Sequence, residues 1–144
     1  MTVYFIGAGP GDPELLTLKA QRRIAACPVC LYAGSLVPQE VVAGAPADAR
    51  VLDTASMTLD DTHAEIKAAH AKGQDVARVH SGDPSLYGAI AEQIPRLSAD
   101  DIAYAIIPGF PAYAAAAAAL GRSVTLTECA QSASLARVSM KPTP

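Results

Sequence analysis

Apolar residues fall along this chain in two alternating rhythms. Thr2 to Ile6 is a short β-branched and aromatic run, and after a Gly/Pro turn Leu15, Leu16, Leu18 and Ile24 form a stripe between Lys19, Arg22 and Arg23. The first reads as a strand and the second, Pro13 to Ala26, as an amphipathic helix whose first turn tolerates proline because that N–H would have no partner. Val29 to Ala33 reads as a buried strand, Gln39 to Ala43 as a short helix and Arg50 to Asp53 as a third strand. Thr58 or Asp60 is placed to cap a helix reaching about Lys72, with Asp61 favouring its positive end and Gly73 stopping it. Val76 to His80 gives a fourth strand, followed by a helix from near Leu86 that Pro95 should end or kink at Ile94. Ile102 to Ile107 gives a fifth strand, and an alanine-rich helix then runs through Leu120 to a stop at Gly121.

Strands alternating with helices predict an α/β fold, a mainly parallel open sheet covered by helices on both faces. In such sheets ligands lie beyond the carboxyl ends of the strands. Three Gly/Pro-rich loops, at residues 7–13, 81–85 and 108–111, each follow a strand and should therefore gather along that one edge. From about Ser123 the pattern loosens, with a possible strand at Leu135 to Met140. The organisation read is an N-terminal domain over residues 1–122, then at 123–144 a linker and the start of a truncated C-terminal α/β domain that is otherwise missing.

Composition narrows the function classes. A chain of 144 residues, 51% apolar, has enough material for a packed core. A net charge of -3 with scattered Lys and Arg offers no footprint for nucleic acid. Three cysteines cannot all pair internally, and no apolar stretch reaches membrane-spanning length without Gly or Pro, so a cytoplasmic protein without signal peptide or membrane helix is expected. Cys27 and Cys30 have C-x-x-C spacing but no companion pair, which favours a structural role and no metal site. His63 and His70 are expected to be solvated, and His80 to be packed or in contact with substrate. Arg78 is read as either a contact for substrate carboxylates or one half of a surface ion pair.

The first loop, Gly7-Ala8-Gly9-Pro10-Gly11-Asp12-Pro13, invites a dinucleotide reading that fails at Asp12, where a third glycine belongs. No Gly-Lys-Ser/Thr sequence occurs, which excludes a P-loop. Glycines still bring bare backbone close to whatever lies above, though a tight strand-to-helix turn explains them equally well. Asp83 before Pro84 is either a turn cap or a ligand contact. Tyr87 reads more readily as a packed aromatic than as a site residue.

Taken in order, these segments resemble the tetrapyrrole methylase family. The residues from Gly7 to Thr17 are similar to the family's opening motif, His80-Ser81-Gly82-Asp83-Pro84-Ser85-Leu86-Tyr87-Gly88-Ala89-Ile90 to its second, and Ile107-Pro108-Gly109-Phe110-Pro111-Ala112 to its Pro-Gly motif. Leu31 to Val37 and Asp53 to Met57 are similar to the subgroup that methylates precorrin-4, or cobalt-precorrin-4, at carbon 11. The resemblance covers nearly the whole chain, although family members run to roughly twice its length.

The resemblance implies an S-adenosylmethionine-dependent C-methyltransferase of cobalamin biosynthesis with a precorrin substrate, commonly a homodimer, holding its cofactor between two α/β domains and leaving S-adenosylhomocysteine. It implies cofactor contacts at Pro10, Ser81, Gly82, Asp83, Leu86, Gly109, Pro111 and Ala112. Asp12 is the candidate catalytic carboxylate for proton transfer, with complementing the helix dipole as its equal alternative. Phe110, where the family usually has a smaller residue, and Pro95, where a helix should continue, depart from the pattern. Alternative functions are methylation of another tetrapyrrole (precorrin-2, precorrin-3 or uroporphyrinogen) and a non-catalytic nucleotide-binding fragment.

Overall fold

The computed structural model describes residues 1–136, in which the chain separates into a compact unit Met1–Ala112 and a second unit beginning at Tyr113. Five strands, β1 (Thr2–Gly7), β2 (Val29–Tyr32), β3 (Arg50–Asp53), β4 (Val76–His80) and β5 (Ala103–Ile107), form one sheet in the order β3-β2-β4-β1-β5. Every pairing is parallel, as the alternation of strand and helix predicts.

Helices cover both faces. On one, α1 (Leu18–Ile24) and the 3-10 turn Gln39–Val42 bury Ala20, Ile24, Val41 and Val42 against Ile6, Cys30, Ala77, Val79 and Ile107. On the other, α2 (Leu59–His70) and α3 (Ile90–Ala99) bury Ile66, Ala69 and Leu97 against Val3, Phe5, Leu31 and Val76. All five residues of β4 are buried, Arg78 and His80 among them, because it lies between β2 and β1 with both faces covered.

The helix expected over Pro13 to Ala26 is two pieces. Pro13–Leu15 is a 3-10 turn, Leu16 and Thr17 are extended, and Thr17 caps α1 through its hydroxyl. Leu15 and Leu18, assigned to the buried stripe, are 40% and 69% exposed. Competing local caps decided this: Asp12 and Thr17 each accept a backbone N–H two or three residues on.

The helix expected from Leu86 starts at Ile90 and runs past Pro95 to Ala99. Leu86 lies in a turn, and Tyr87 and Ala89 hold left-handed φ of 59° and 54°. Pro95 neither ends nor begins a segment, because one lost donor is outweighed by packing of Leu97, Ile90 and Ile94 on the second core cluster. The capping residue of α2 is Thr58, in a reciprocal capping box with Asp61, and Gly73 (φ 67°) ends the turn after it.

In the second unit α4 (Ala112–Ala119) extends from the last residue of the first, and Leu126 and Ala130 form an isolated bridge. Of the strand expected at Leu135 to Met140, residues 135–136 are irregular and the remainder lies outside the described residues. Among the described residues no helix is long and apolar enough to cross a membrane.

Candidate functional site

The three Gly/Pro loops follow β1, β4 and β5, and these strands are neighbours in the sheet. Convergence therefore follows from strand order. Gly9 and Gly82 exchange backbone hydrogen bonds, N–H to O at 3.2 and 2.8 Å, and the Ala8 N–H donates to the His80 carbonyl at 2.7 Å. The Asp83 carboxylate joins the third loop: one oxygen accepts from the Ser85 N–H at 2.8 Å and the other from the Gly109 N–H at 3.0 Å. It is thus a turn cap and a bridge between loops together.

Two glycines make this approach possible. A Cβ on Gly109 would stand 2.0 Å from the Gly82 carbonyl oxygen, and one on Gly7 would stand 2.4 Å from the Gly109 backbone. Gly9 (φ 69°) and Gly82 (φ 60°) adopt the left-handed conformation instead. Beyond its chain neighbours, the place a Gly82 Cβ would take lies 3.9 Å from the Ala112 N and 4.0 Å from the Pro111 Cα, so the second loop meets the third there at ordinary contact distance.

Around this junction Ser81, Gly82, Asp83, Gly109 and Pro111 are half-buried, whereas Pro10, Leu86 and Ala112 are exposed. An open pocket of about 350 Å³ lies between the Glu14–Thr17 segment and Pro108, Gly109, Phe110 and Pro111. Phe110 forms part of its wall and is 40% exposed. Asp12, expected in a helix's first turn, is the N-cap itself: its Oδ1 accepts from the Glu14 N–H at 2.9 Å, and the residue is exposed. Tyr87, expected to be packed, is 64% exposed at the same edge.

A second carboxylate links the neighbouring loops. Asp53 Oδ1 accepts from the Gly34 N–H at 3.0 Å and the Ala55 N–H at 2.8 Å, tying the loop after β2 to the loop after β3. Gly11 lies beside Pro38, bringing the first loop against the same region. The Asp53 link had no sequence signal beyond an acid at a strand end, while Gly7 did: a glycine inside a strand marks close backbone approach.

Arg78 is neither a surface ion-pair partner nor an open contact. It is 8% exposed, and its guanidinium donates to the Leu31 carbonyl, Thr54 Oγ1 and Gln93 Oε1 at 3.2–3.3 Å. Burial lowers its pKa to about 10, which leaves it charged at neutral pH. His80 packs against the Phe5 ring and is 5% exposed, with its Nε2 buried and unpartnered. Burial, with Arg78 adding to it, pushes its pKa down to about 3, so the ring is neutral. His63, expected in solvent, is half-buried and its Nε2 lies 2.7 Å from Asp100 Oδ2. His70 is exposed as expected. Cys27 and Cys30 are buried free thiols raised by burial to about 11 and about 12, an inert pair that fits the structural reading.

The model of the tetrapyrrole (corrin/porphyrin) methylases matches residues 2–143. A precorrin-4 C(11)-methyltransferase of Rhodococcus erythropolis is 60% identical over 96% of this chain and 56% of its own length. The X-ray structure of the cobalamin biosynthetic enzyme cobalt precorrin-4 methyltransferase is 41% identical, with a TM-score of 0.84 over 88% of this chain and 53% of that one. A uroporphyrin-III C-methyltransferase from Thermus thermophilus, complexed with S-adenosylhomocysteine, is 32% identical with a TM-score of 0.73, covering 92% of this chain and 53% of that one. The chain spans little more than half the length of the curated relatives it matches. With a match along nearly its whole length and the same parallel sheet, this chain belongs to the tetrapyrrole methylase family.

Proposed function

We propose that this chain is the cofactor-gripping part of an S-adenosylmethionine-dependent methyltransferase that acts on carbon 11 of precorrin-4 in cobalamin biosynthesis. The observation that carries the reading is the junction of Gly7, Gly9, Gly82 and Gly109, where three loops come into close backbone approach and the Asp83 carboxylate ties the second to the third. Such a surface suits a ligand recognised by main-chain groups and close van der Waals contact. The identity to relatives named for that reaction supports the choice of substrate.

The residues fit the cofactor. Gly82 faces the backbone of Pro111 and Ala112 at ordinary contact distance, and Ser81, Asp83 and Gly109 are held around it by the bridge and the Asp83 carboxylate. In this reading those residues, with Pro10, Leu86, Pro111 and Ala112, contact the cofactor, and Phe110 narrows the adjoining pocket. The bound cofactor supplies an activated methyl on a sulfonium. The chain's own task is alignment, which in favourable intramolecular cases is worth about 7–11 kcal/mol of barrier. Asp12 is exposed beside this wall, with one carboxylate oxygen engaged by Glu14, and its other oxygen is the group assigned to proton transfer. Homodimerisation and a cytoplasmic location belong to the same reading.

The test is methyl transfer by this chain joined to the remaining part of the Rhodococcus relative, with precorrin-4 as acceptor. A product heavier by one methyl group, carried on carbon 11 by NMR, is expected. Methylation at another carbon would move the assignment to another tetrapyrrole methylase. No transfer by a folded hybrid would reject the enzyme reading.

A further inference from the structure

Arg78 is a buried cation without a carboxylate partner among the described residues. Stability alone explains it poorly, because replacing buried charges by apolar groups of similar volume is often neutral or favourable. Its partners suggest another purpose. Arg78 lies on β4 just ahead of Ser81, where the second loop begins. Its Nε donates to Gln93 Oε1, and Gln93 Nε2 donates to the carbonyl of Ala89, the left-handed residue where that loop ends and α3 starts. Its Nη1 donates to Leu31 O and Thr54 Oγ1, and the Thr54 hydroxyl donates to Tyr32 O, so the same group reaches the ends of β2 and β3.

We propose that Arg78 is the positioning residue of the loop Ser81–Ala89: rooted in β4 just before the loop begins and reaching its far end at Ala89 through Gln93, it clasps that end to β4 and so fixes where Gly82 and Asp83 stand on the cofactor wall. The functional consequence rests on the cofactor reading above; the clasp does not. A planar fork suits this task, since one group must donate in several fixed directions. The strain at Tyr87 and Ala89 makes the clasp necessary: two left-handed non-glycine residues in three positions persist only where surrounding structure holds them.

The experiment is amide hydrogen exchange by NMR on this chain and on Arg78→Met, which fills the volume without donating. Protection at Gly9, Gly82, Glu92 and Gly109 is expected to fall about tenfold or more, while Thr2 and Arg50, bonded at the opposite edge, keep theirs. Uniform loss at all six would reduce Arg78 to a general structural role, and no loss at the loop would remove the role altogether. Should Arg78→Met not fold, Gln93→Leu cuts the arm to Ala89 alone, and unchanged exchange at Glu92 and Gly82 then overturns the clasp. In the hybrid enzyme Arg78→Met is expected to raise KM for S-adenosylmethionine about fivefold or more with a smaller change in kcat. If the unsubstituted hybrid binds no S-adenosylhomocysteine while the exchange pattern holds, the cofactor reading fails and the clasp stands.

Discussion

At the scale of single residues, contact geometry and backbone conformation make different demands of glycine. Gly109 is required by contact, since its missing Cβ lets the Gly82 carbonyl and the Gly7 backbone approach, and neither of those neighbours is a side chain that can turn aside. Gly109→Ala is expected to destabilise the chain by about 1–3 kcal/mol, read from urea unfolding. A change within error would mean that the loops do not meet as closely as described. His80 leads to a second expectation. Its folded pKa of about 3 lies below the ordinary 6.5, so the unfolded state takes up more protons between those values. Stability should therefore rise with pH from about 3 to 6.5 and level off above. His80→Leu should flatten the upper part of that slope, leaving the acid branch set by carboxylates such as Asp61 and Asp100, whose pKa values are lowered by Thr58 and by His63 and Lys67 respectively. An unaltered slope in His80→Leu would show that the ring is not held neutral.

The glycine loops were legible in the sequence because a missing side chain signals close approach wherever it follows a strand. His80 was expected packed or in contact with substrate, and it is packed. The burial of Arg78 was not legible: it lies on β4, and whether such a side chain meets solvent or protein depends on which strands flank β4 and which helices cover it, information carried by strand order. Asp83 was legible as a turn cap, whereas its second bond, to Gly109, spans 26 positions and has no local trace.

Among the elements, the five strands follow the apolar runs closely, whereas two helices depart from their patterns for opposite reasons. In the segment 13–24 local chemistry overrode periodicity: caps at Asp12 and Thr17 split a continuous apolar stripe and left Leu18 on the surface. In α3 tertiary packing overrode local chemistry and carried the helix through Pro95. Pro95→Ala restores a backbone donor without touching the packed face, Pro95 itself being exposed. It is expected to stabilise the chain by about 1–3 kcal/mol in urea unfolding. A destabilisation would mean that the ring itself sets the entry of α3 into the core.

For the whole molecule, strand order is the fact that turns three separated motifs into one wall. β4, β1 and β5 are adjacent, so loops more than seventy residues apart in sequence, at Gly9 and Gly82, exchange hydrogen bonds. Alternation predicted the parallel sheet and the edge where the three loops gather, but the order β3-β2-β4-β1-β5 required the structure, because local patterns do not encode which strand inserts between two others. That this wall holds a cofactor is the central proposal. The most direct test is calorimetric titration of S-adenosylhomocysteine into this chain joined to the remaining part of the Rhodococcus relative, with Gly82→Val as the paired control. Saturable binding at one site per chain, lost in the folded control, is the predicted result; a folded hybrid that binds nothing, or binds equally with valine at 82, would contradict it.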